Sequence, residues 1–405
     1  MPPSLRRLLF ERNFRLFAIA ESLSLVGSAM IPVVFSFAIY ADGGSADLVS
    51  IVLAAQTIPF ILLLPFSGTL VARISPRRTI IYAEMICLAA ELCLAMEFNH
   101  AHLTIIPVVI LSFILGIGAA FIIPGCEALV PELVEAGSLQ EVNSLVGMMS
   151  ALGAMIGPAL GGVAISTAGP AAAILLDAAS YGCSIFLLRE VRTRRSVALV
   201  DEPFIQQMLQ GWQQFRAKPW LSVIVVQYAL FQLLVLGPAY VIGSLTFARV
   251  GSGVERWGVL LAIMSIGHLI GGAIGMYLKA TTPLVTGLLA FSLFAAAPAS
   301  LAIQASLPLE IPAFLVAGAG LAIFSVMWDT AKQEQIEPHL ISRVASLATL
   351  GSNSLLPIGY LLATPLRNQF GITGALSFTA AACVVITLTG TLFPAVKQVR
   401  SNPDS

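Results

Sequence analysis

Six ionisable side chains stand inside otherwise apolar stretches of this 405-residue chain: Glu21, Glu84, Glu91, Asp177, His268 and Asp329. A charge at the centre of a membrane-crossing helix costs about 2.5–3.5 kcal/mol on insertion scales, so each needs a reason. Proton carriage or cation recognition is the chemistry a carboxyl can do there. Glu21 is the sharpest candidate, with Ser22, Ser24 and Ser28 close along the chain. A carboxyl buried without a cation favours its neutral form, which suits a proton carrier; a carboxyl bonded to neighbouring helices or exposed at the inner mouth is the plainer alternative. Glu84 and Glu91 are seven apart and share a helix face. No lysine or arginine inside the apolar stretches pairs with them, and for these two and Asp177 a structural role stands beside a functional one. Asp329 follows Trp328 near a helix end, where an inner gate and simple solvation are equal readings. His268, beside Gly267, reads more readily as a hydrogen-bonded packing residue than as a relay. Ser28, Gln56, Gln227, Phe231 and Trp328 are the candidates for lining a cavity that takes amphipathic molecules.

The elements that position these residues follow from composition. Hydrophobic residues make up 58% of the chain and charged residues 10%, with a mean hydropathy of +0.92. Soluble domains carry roughly 25% charge, so the solvent for most of this surface is lipid. Runs long enough to cross about 30 Å of hydrocarbon lie near 16–40, 49–72, 79–98, 104–126, 143–167 and 170–188. After a polar break, six more lie near 221–248, 257–278, 284–303, 311–331, 345–366 and 373–396. With this twelve-helix count, all of the 21 Lys and Arg except Arg249, Arg256 and Arg367 fall on one side. Basic residues collect on the cytoplasmic side, which predicts a multi-pass protein of the inner or plasma membrane with both termini cytoplasmic. The basic start, Arg6 to Arg15, runs straight into an apolar segment without a small-residue cleavage site, so no signal peptide is expected.

Residues 1–188 and 221–405 thus read as two six-helix halves, joined by a cytoplasmic linker at 189–220. Within the linker, Phe204, Met208, Leu209, Trp212 and Phe215 recur at helical spacing, which suits a helix lying on the membrane surface or one packed against helix ends. Six plus six around a basic loop is the layout of transporters built from pseudo-symmetric halves. The fifth span carries Gly153, Gly157, Pro158, Gly161 and Gly162; the eighth carries Gly267, Gly271 and Gly275. Small residues at this spacing let helices approach in lipid. One such helix per half suggests that the two meet, though tight packing of any kind explains the spacing equally well.

The Gly-x-x-x-Gly-Pro-x-x-Gly-Gly stretch from Gly153 to Gly162 resembles the fifth-helix motif of drug–proton antiporters in the major facilitator superfamily. The loop from Gly68 through Arg73, Arg77 and Arg78 is similar to that superfamily's Gly-x-x-x-Asp-Arg-x-Gly-Arg-Arg loop, except that Ala72, Ser75 and Pro76 replace its aspartate, glycine and an arginine. Any gating role there therefore rests on the three arginines. Arg12-Asn13-Phe14-Arg15, Asp177 to Tyr181, Trp328-Asp329-Thr330 with Gln333, Pro338 and Arg343, and Leu356-Pro357-Ile358-Gly359 resemble the macrolide and siderophore exporter branch. The resemblance spans nearly the whole chain and implies the all-α major facilitator fold, with the first helix lining a central cavity and the third and sixth peripheral. The fourth-span Arg-x-x-Gln-Gly arrangement of many proton-driven members is missing: Ser112-Phe113-Ile114-Leu115-Gly116 stands there instead. If protons drive this protein, other residues carry them, with Glu21, Asp177 and Asp329 the candidates.

Several classes are excluded or set aside. No G-x-x-x-x-G-K-[ST] loop, H-E-x-x-H helix or G-x-S-x-G elbow occurs, and the loops are too short for a catalytic domain, so no enzyme and no cofactor are expected. The five cysteines are scattered without C-x-x-C spacing and read as packing residues, with no metal site. Zero net charge argues against nucleic acid as a partner. The expectation is a monomeric secondary-active exporter of amphipathic small molecules coupled to protons; lysophospholipid or metabolite transport, or a non-transporting sensor or scaffold, are the alternatives.

Overall fold

A computed structural model describes residues 11–99, 104–134, 139–193, 212–248, 253–278 and 280–400. Side chains at some helical positions, among them Gly68, Arg73 and Arg343, lie outside the described set, as do linker residues Phe204, Met208 and Leu209. Every regular element among the described residues is helical. The N-terminal helices are α1 (Arg12–Ala41), α2 (Ala46–Ile74), α3 (Pro76–Glu97), α4 (Ile105–Leu133), α5 (Leu139–Ala168) and α6 (Pro170–Glu190). Then come α7 (Pro219–Phe231), a π turn (Gln232–Leu236), α8 (Gly237–Phe247), α9 (Gly253–Tyr277), α10 (Pro283–Phe291), a 3-10 turn (Ser292–Ala295) and α11 (Ala296–Ala302). The chain ends with α12 (Leu307–Gln335), α13 (Pro338–Asn353), α14 (Leu356–Leu392) and the short α15 (Pro394–Lys397).

Ten stretches among the described residues are long and apolar enough to cross a membrane. One of them, Leu347–Leu392, contains 46 residues and breaks at Gly371, where φ is 70°. Counting its two sides separately and adding the apolar part of α5, Leu152–Ala168, the spans number twelve. The closest pair, α5 and α6, is divided at Gly169 with φ 85°, followed by Pro170. Glycine reaches the left-handed region at no steric cost, and proline's missing N–H is harmless in a first turn. That dipeptide therefore ends one helix and starts the next. Proline opens α3, α7, α10 and α13 in the same way.

Contacts divide the chain into two compact units, residues 1–201 with 250–259 and residues 202–249 with 260–405. In the first, α1 packs on α5 and α6, α3 on α4 and α6, and α2 on α4. Its core joins Phe14, Phe17, Ile80, Leu129, Ile185 and Leu188. In the second, α14 packs on α8 and α10 on α12.

The two glycine helices do touch, with Gly162 of α5 against the backbone of α9 at Val254 and Glu255 and Gly258 of α9 against Pro158, but the four-residue glycine repeats themselves pack on other helices. A Cβ at Gly153 would stand 3.0 Å from Leu25 Cβ, one at Gly157 2.5 Å from Ala29 Cβ, and one at Gly161 3.2 Å from Met30 Cβ, so this face of α5 lies on α1. Gly267 and Gly271 bring α9 against the backbone of α12 at Leu315 and Ala319, and Gly275 sits against Val326. A stripe of small residues accepts any helix that fits; the spacing carries no information about which.

Candidate functional site

Three helices of the first unit present polar residues at helical spacing to one another. On α6, Asp177, Ser180, Tyr181 and Ser184 follow the i, i+3, i+4, i+7 pattern of a single face. On α3 the stripe is Glu84, Cys87 and Glu91; on α1 it is Glu21, Ser24 and Ser28. Since α1 and α3 both pack on α6, the stripes form a polar seam inside an apolar bundle.

The seam has two levels. At the first, Glu21 is partly exposed and its Oε2 accepts a hydrogen bond of 2.8 Å from Cys126 Sγ of α4. Glu84, 1% exposed, accepts from Ser184 Oγ at 2.6 Å, and its Oε2 is buried without a partner among the described residues. Seven residues along α3, about 10 Å at 1.5 Å per residue, Glu91 and Asp177 form the second level, both 0% exposed. Both oxygens of Glu91 and Oδ2 of Asp177 have no hydrogen-bond partner among the described residues, and Ser180 Oγ donates to Asp177 Oδ1 at 3.0 Å. Gly27 of α1 makes the space: a Cβ there would fall on Asp177 Oδ1 and stand 2.5 Å from Ser180 Oγ. Between the levels, the Tyr181 hydroxyl is 3.0 Å from Ser28 Oγ, and Ser28 is exposed.

Cations stay at the helix ends. Arg77 donates to the carbonyls of Val191 at 2.8 Å and Arg189 at 3.1 Å, capping the C-terminus of α6, whose last carbonyls have no helical partner. Arg12 pairs with Glu190 at 3.3 Å, and Asn13 Oδ1 accepts from the Arg192 amide at 3.1 Å. The Arg12-Asn13 stretch and the arginine loop thus both tie down the end of α6. Arg78 is exposed.

The remaining candidates lie apart from the seam. Asp329 is exposed and paired with Lys332 at 2.7 Å; Lys332 Nζ also lies 5.1 Å from the Trp328 ring centre, and Trp328 meets Trp220 edge-on at 5.7 Å. Gln227 is buried and spends its amide on the carbonyls of Ile386 and Thr387 in α14, where Gly390 leaves room for it. Phe231 is fully buried, 4.5 Å from Phe291 and 4.9 Å from Phe294 between ring centres. Both are packing residues of the second unit in this structure, where the sequence suggested cavity lining. Gln56 is half-buried, and its carbonyl abuts Gly116 of α4. His268 is half-buried on α9.

The sequence reading missed Ser180, Tyr181 and Ser184 as partners of the acids, although their spacing from Asp177 was a visible signal. It also treated Cys126 as packing, where it donates to Glu21. Among the described residues no group of three or more His, Cys, Asp and Glu is placed to hold a metal ion. With carboxyls, hydroxyls and thiols but no internal cation, the seam is equipped to hold and pass protons.

The sequence profile of the transmembrane secretion effector family matches residues 8–404. Macrolide efflux protein A of Streptococcus pyogenes is 23% identical over 395 residues, covering 94% of this chain and 95% of that protein. The multidrug efflux pump Tap of Mycolicibacterium fortuitum is 23% identical over 389 residues, covering 92% and 93%. Among solved structures, the nucleoside transporter NupG superposes with a TM-score of 0.74 at 11% identity, over 93% of this chain and 98% of that one.

Proposed function

The chain belongs to the transmembrane secretion effector family, a group of major facilitator transporters, and from that premise we propose that it exports amphipathic small molecules by alternating access, driven by protons moving the opposite way. The observation that carries the coupling is the seam of Glu21, Glu84, Glu91 and Asp177, which contains no internal lysine or arginine. Acids inside membrane spans mark ion pathways far more often than packing, because a purely structural polar contact is made as well by serine or threonine. The efflux relatives support the direction and the substrate class: their names give macrolides and multiple drugs.

Glu21 is the partly exposed carboxyl of the seam, so it is the entry carboxyl in this reading. In this reading the chain acts as a monomer in a cell membrane with both termini in the cytoplasm, an orientation that the excess of basic residues on one side supports. Reconstitution in liposomes tests the proposal. Movement of a macrolide or a lipophilic cationic dye that follows an imposed pH gradient is expected, and Glu21→Gln is expected to slow it and flatten its pH dependence. Binding without movement would make the protein a sensor, and movement indifferent to the pH gradient would remove the proton.

A further inference from the structure

We propose that Glu91 and Asp177 together hold one shared proton, in an enclosed site between α3 and α6 that exchanges with water through Tyr181 and Ser28. This deepens the proton-driven reading above and rests on it for its role in transport.

The case begins with unmet hydrogen bonds. Both oxygens of Glu91 and Oδ2 of Asp177 are buried without a donor. Ser184 of α6 bonds Glu84 of α3 at 2.6 Å, and Glu91 lies seven residues past Glu84 as Asp177 lies seven before Ser184, so the two carboxyls share one level of the packed helices. Yet an ionised carboxylate only accepts, so two of them form no bond. One proton between them supplies the missing donor and leaves the pair with a single charge.

Nothing else nearby supplies it. The groups facing this level from the packed helices are Glu84 and Cys87 on α3, and Ser180 and Tyr181 on α6. Glu21 lies along α1, and Cys126 and Glu127 along α4. None is a cation. Arg77 and Arg189 stand 14 and 12 residues away along their own helices, about 21 and 18 Å at 1.5 Å per residue. A bound metal is disfavoured by the absence, among the described residues, of any convergent set of three ligands.

The site is shaped as well as charged. Gly27 lets the Asp177 carboxyl lie against the backbone of α1, so the position of that carboxyl and the position of α1 constrain each other. An exit exists on the same face of α6. Tyr181 is one turn from Asp177, its hydroxyl is 3.0 Å from Ser28 Oγ, and Ser28 is exposed. The relay is a hydroxyl chain. Tyr181 bonds neither carboxyl at rest. When a side-chain movement brings its hydroxyl onto the pair, it takes the shared proton as it passes its own to Ser28, which gives its proton to water, so no redox partner is needed.

The test is infrared difference spectroscopy of the full chain in lipid nanodiscs during pH titration, following the C=O stretch of protonated carboxyls in water and in deuterium oxide. Glu91→Gln and Asp177→Asn are each expected to remove the same titrating band, and the double variant to remove no more than either single one. Two separate bands lost independently, or no band lost, would overturn the shared proton. A band that responds to sodium at fixed pH would replace the proton by a metal cation and overturn it too. Should either variant fail to fold, Tyr181→Phe keeps both carboxyls: the band is expected to persist while its exchange into deuterium oxide slows at least tenfold, and an unchanged exchange rate would overturn the exit route. The same samples separate the two readings. A shared band in protein that moves no substrate leaves the pair standing and sinks the transporter reading, whereas pH-driven transport without the band does the reverse.

Discussion

Gly27→Ala adds one methyl group to the place where α1 accommodates the Asp177 carboxyl, without removing any acid. The new Cβ would stand 2.5 Å from Ser180 Oγ and 3.0 Å from Asp177 Cγ. Ordinary contacts between carbon atoms sit at about 3.5–4.0 Å, so the serine must recede by about 1 Å and the carboxyl oxygen on which the methyl falls by more than that. Overpacking of this kind costs about 1–3 kcal/mol. Alanine also favours the helix over glycine by about 0.8–1.0 kcal/mol, which offsets part of the cost and has to be cancelled by a control. Gly182→Ala serves: it lies one turn past Ala178 on α6, and no atom stands within 4 Å of its added Cβ.

The difference between the two variants isolates the steric cost. At about 2–4 °C per kcal/mol for a unit of this size, Gly27→Ala is expected to melt roughly 2–12 °C below Gly182→Ala. The assay is thermal unfolding of purified protein in one detergent, paired with transport under a pH gradient. Displacing Asp177 also parts it from Glu91, so the pH dependence of transport should shift in Gly27→Ala and stay put in Gly182→Ala. Equal melting temperatures with unchanged pH dependence would show that the carboxyl does not lie against α1, and the notch would be lost from the argument.

Three further outcomes are expected from the same preparations. Arg77→Ala removes two charge-assisted bonds to the end of α6; at about 1.5–3 kcal/mol for bonds to a charged group, discounted for partial exposure, it should lower the melting temperature by several degrees, and Arg77→Lys should recover part of the loss. Gly157→Ala places a Cβ 2.5 Å from Ala29 Cβ and 2.6 Å from the Val26 carbonyl, against backbone that cannot rotate away, so it should be destabilised while Gly272→Ala, with open space around it, melts at or above wild type. Asp329→Asn breaks an ion pair whose carboxylate is exposed while Lys332 is mostly covered; a loss of about 1 kcal/mol with pH-driven transport intact is expected, and loss of the pH response would return Asp329 to the proton path.

How much of this was legible in the sequence depended on whether the signal was local. Apolar run length and the side on which arginines collect are properties of single segments, and they yielded the twelve spans, the split at Gly169-Pro170 and the break near 371. The same holds for Glu84 and Glu91 sharing a face. What a segment cannot carry is the identity of its neighbour. The glycine motif of α5 was readable as a contact surface, yet only Gly162 and Pro158 meet α9 while Gly153, Gly157 and Gly161 lie on α1, because a flat helix face selects by shape over many residues. Phe231 and Gln227 show the converse. A phenylalanine and a glutamine in a span suit a cavity lining as well as a packed interior, and only Phe291, Phe294 and the carbonyls of α14 decide between them.

The seam joins both kinds of signal. Each stripe was periodic and could be read alone; their convergence required three helices to pack. Periodicity therefore states how many polar faces the N-terminal half must bury, and lipid makes that burial compulsory, since a polar face turned outward would meet hydrocarbon. Three polar faces without one internal cation satisfy each other only through hydroxyls, thiols and shared protons. Cys126 and Ser184 settle Glu21 and one oxygen of Glu84, which leaves Glu91 and Asp177 as the pair of carboxyls whose bonding a proton must complete. A bundle that needed only glue had serine and threonine available at those positions. The retention of two adjacent acids, fitted against a glycine, is the feature that a packing role does not explain and a proton-binding role does.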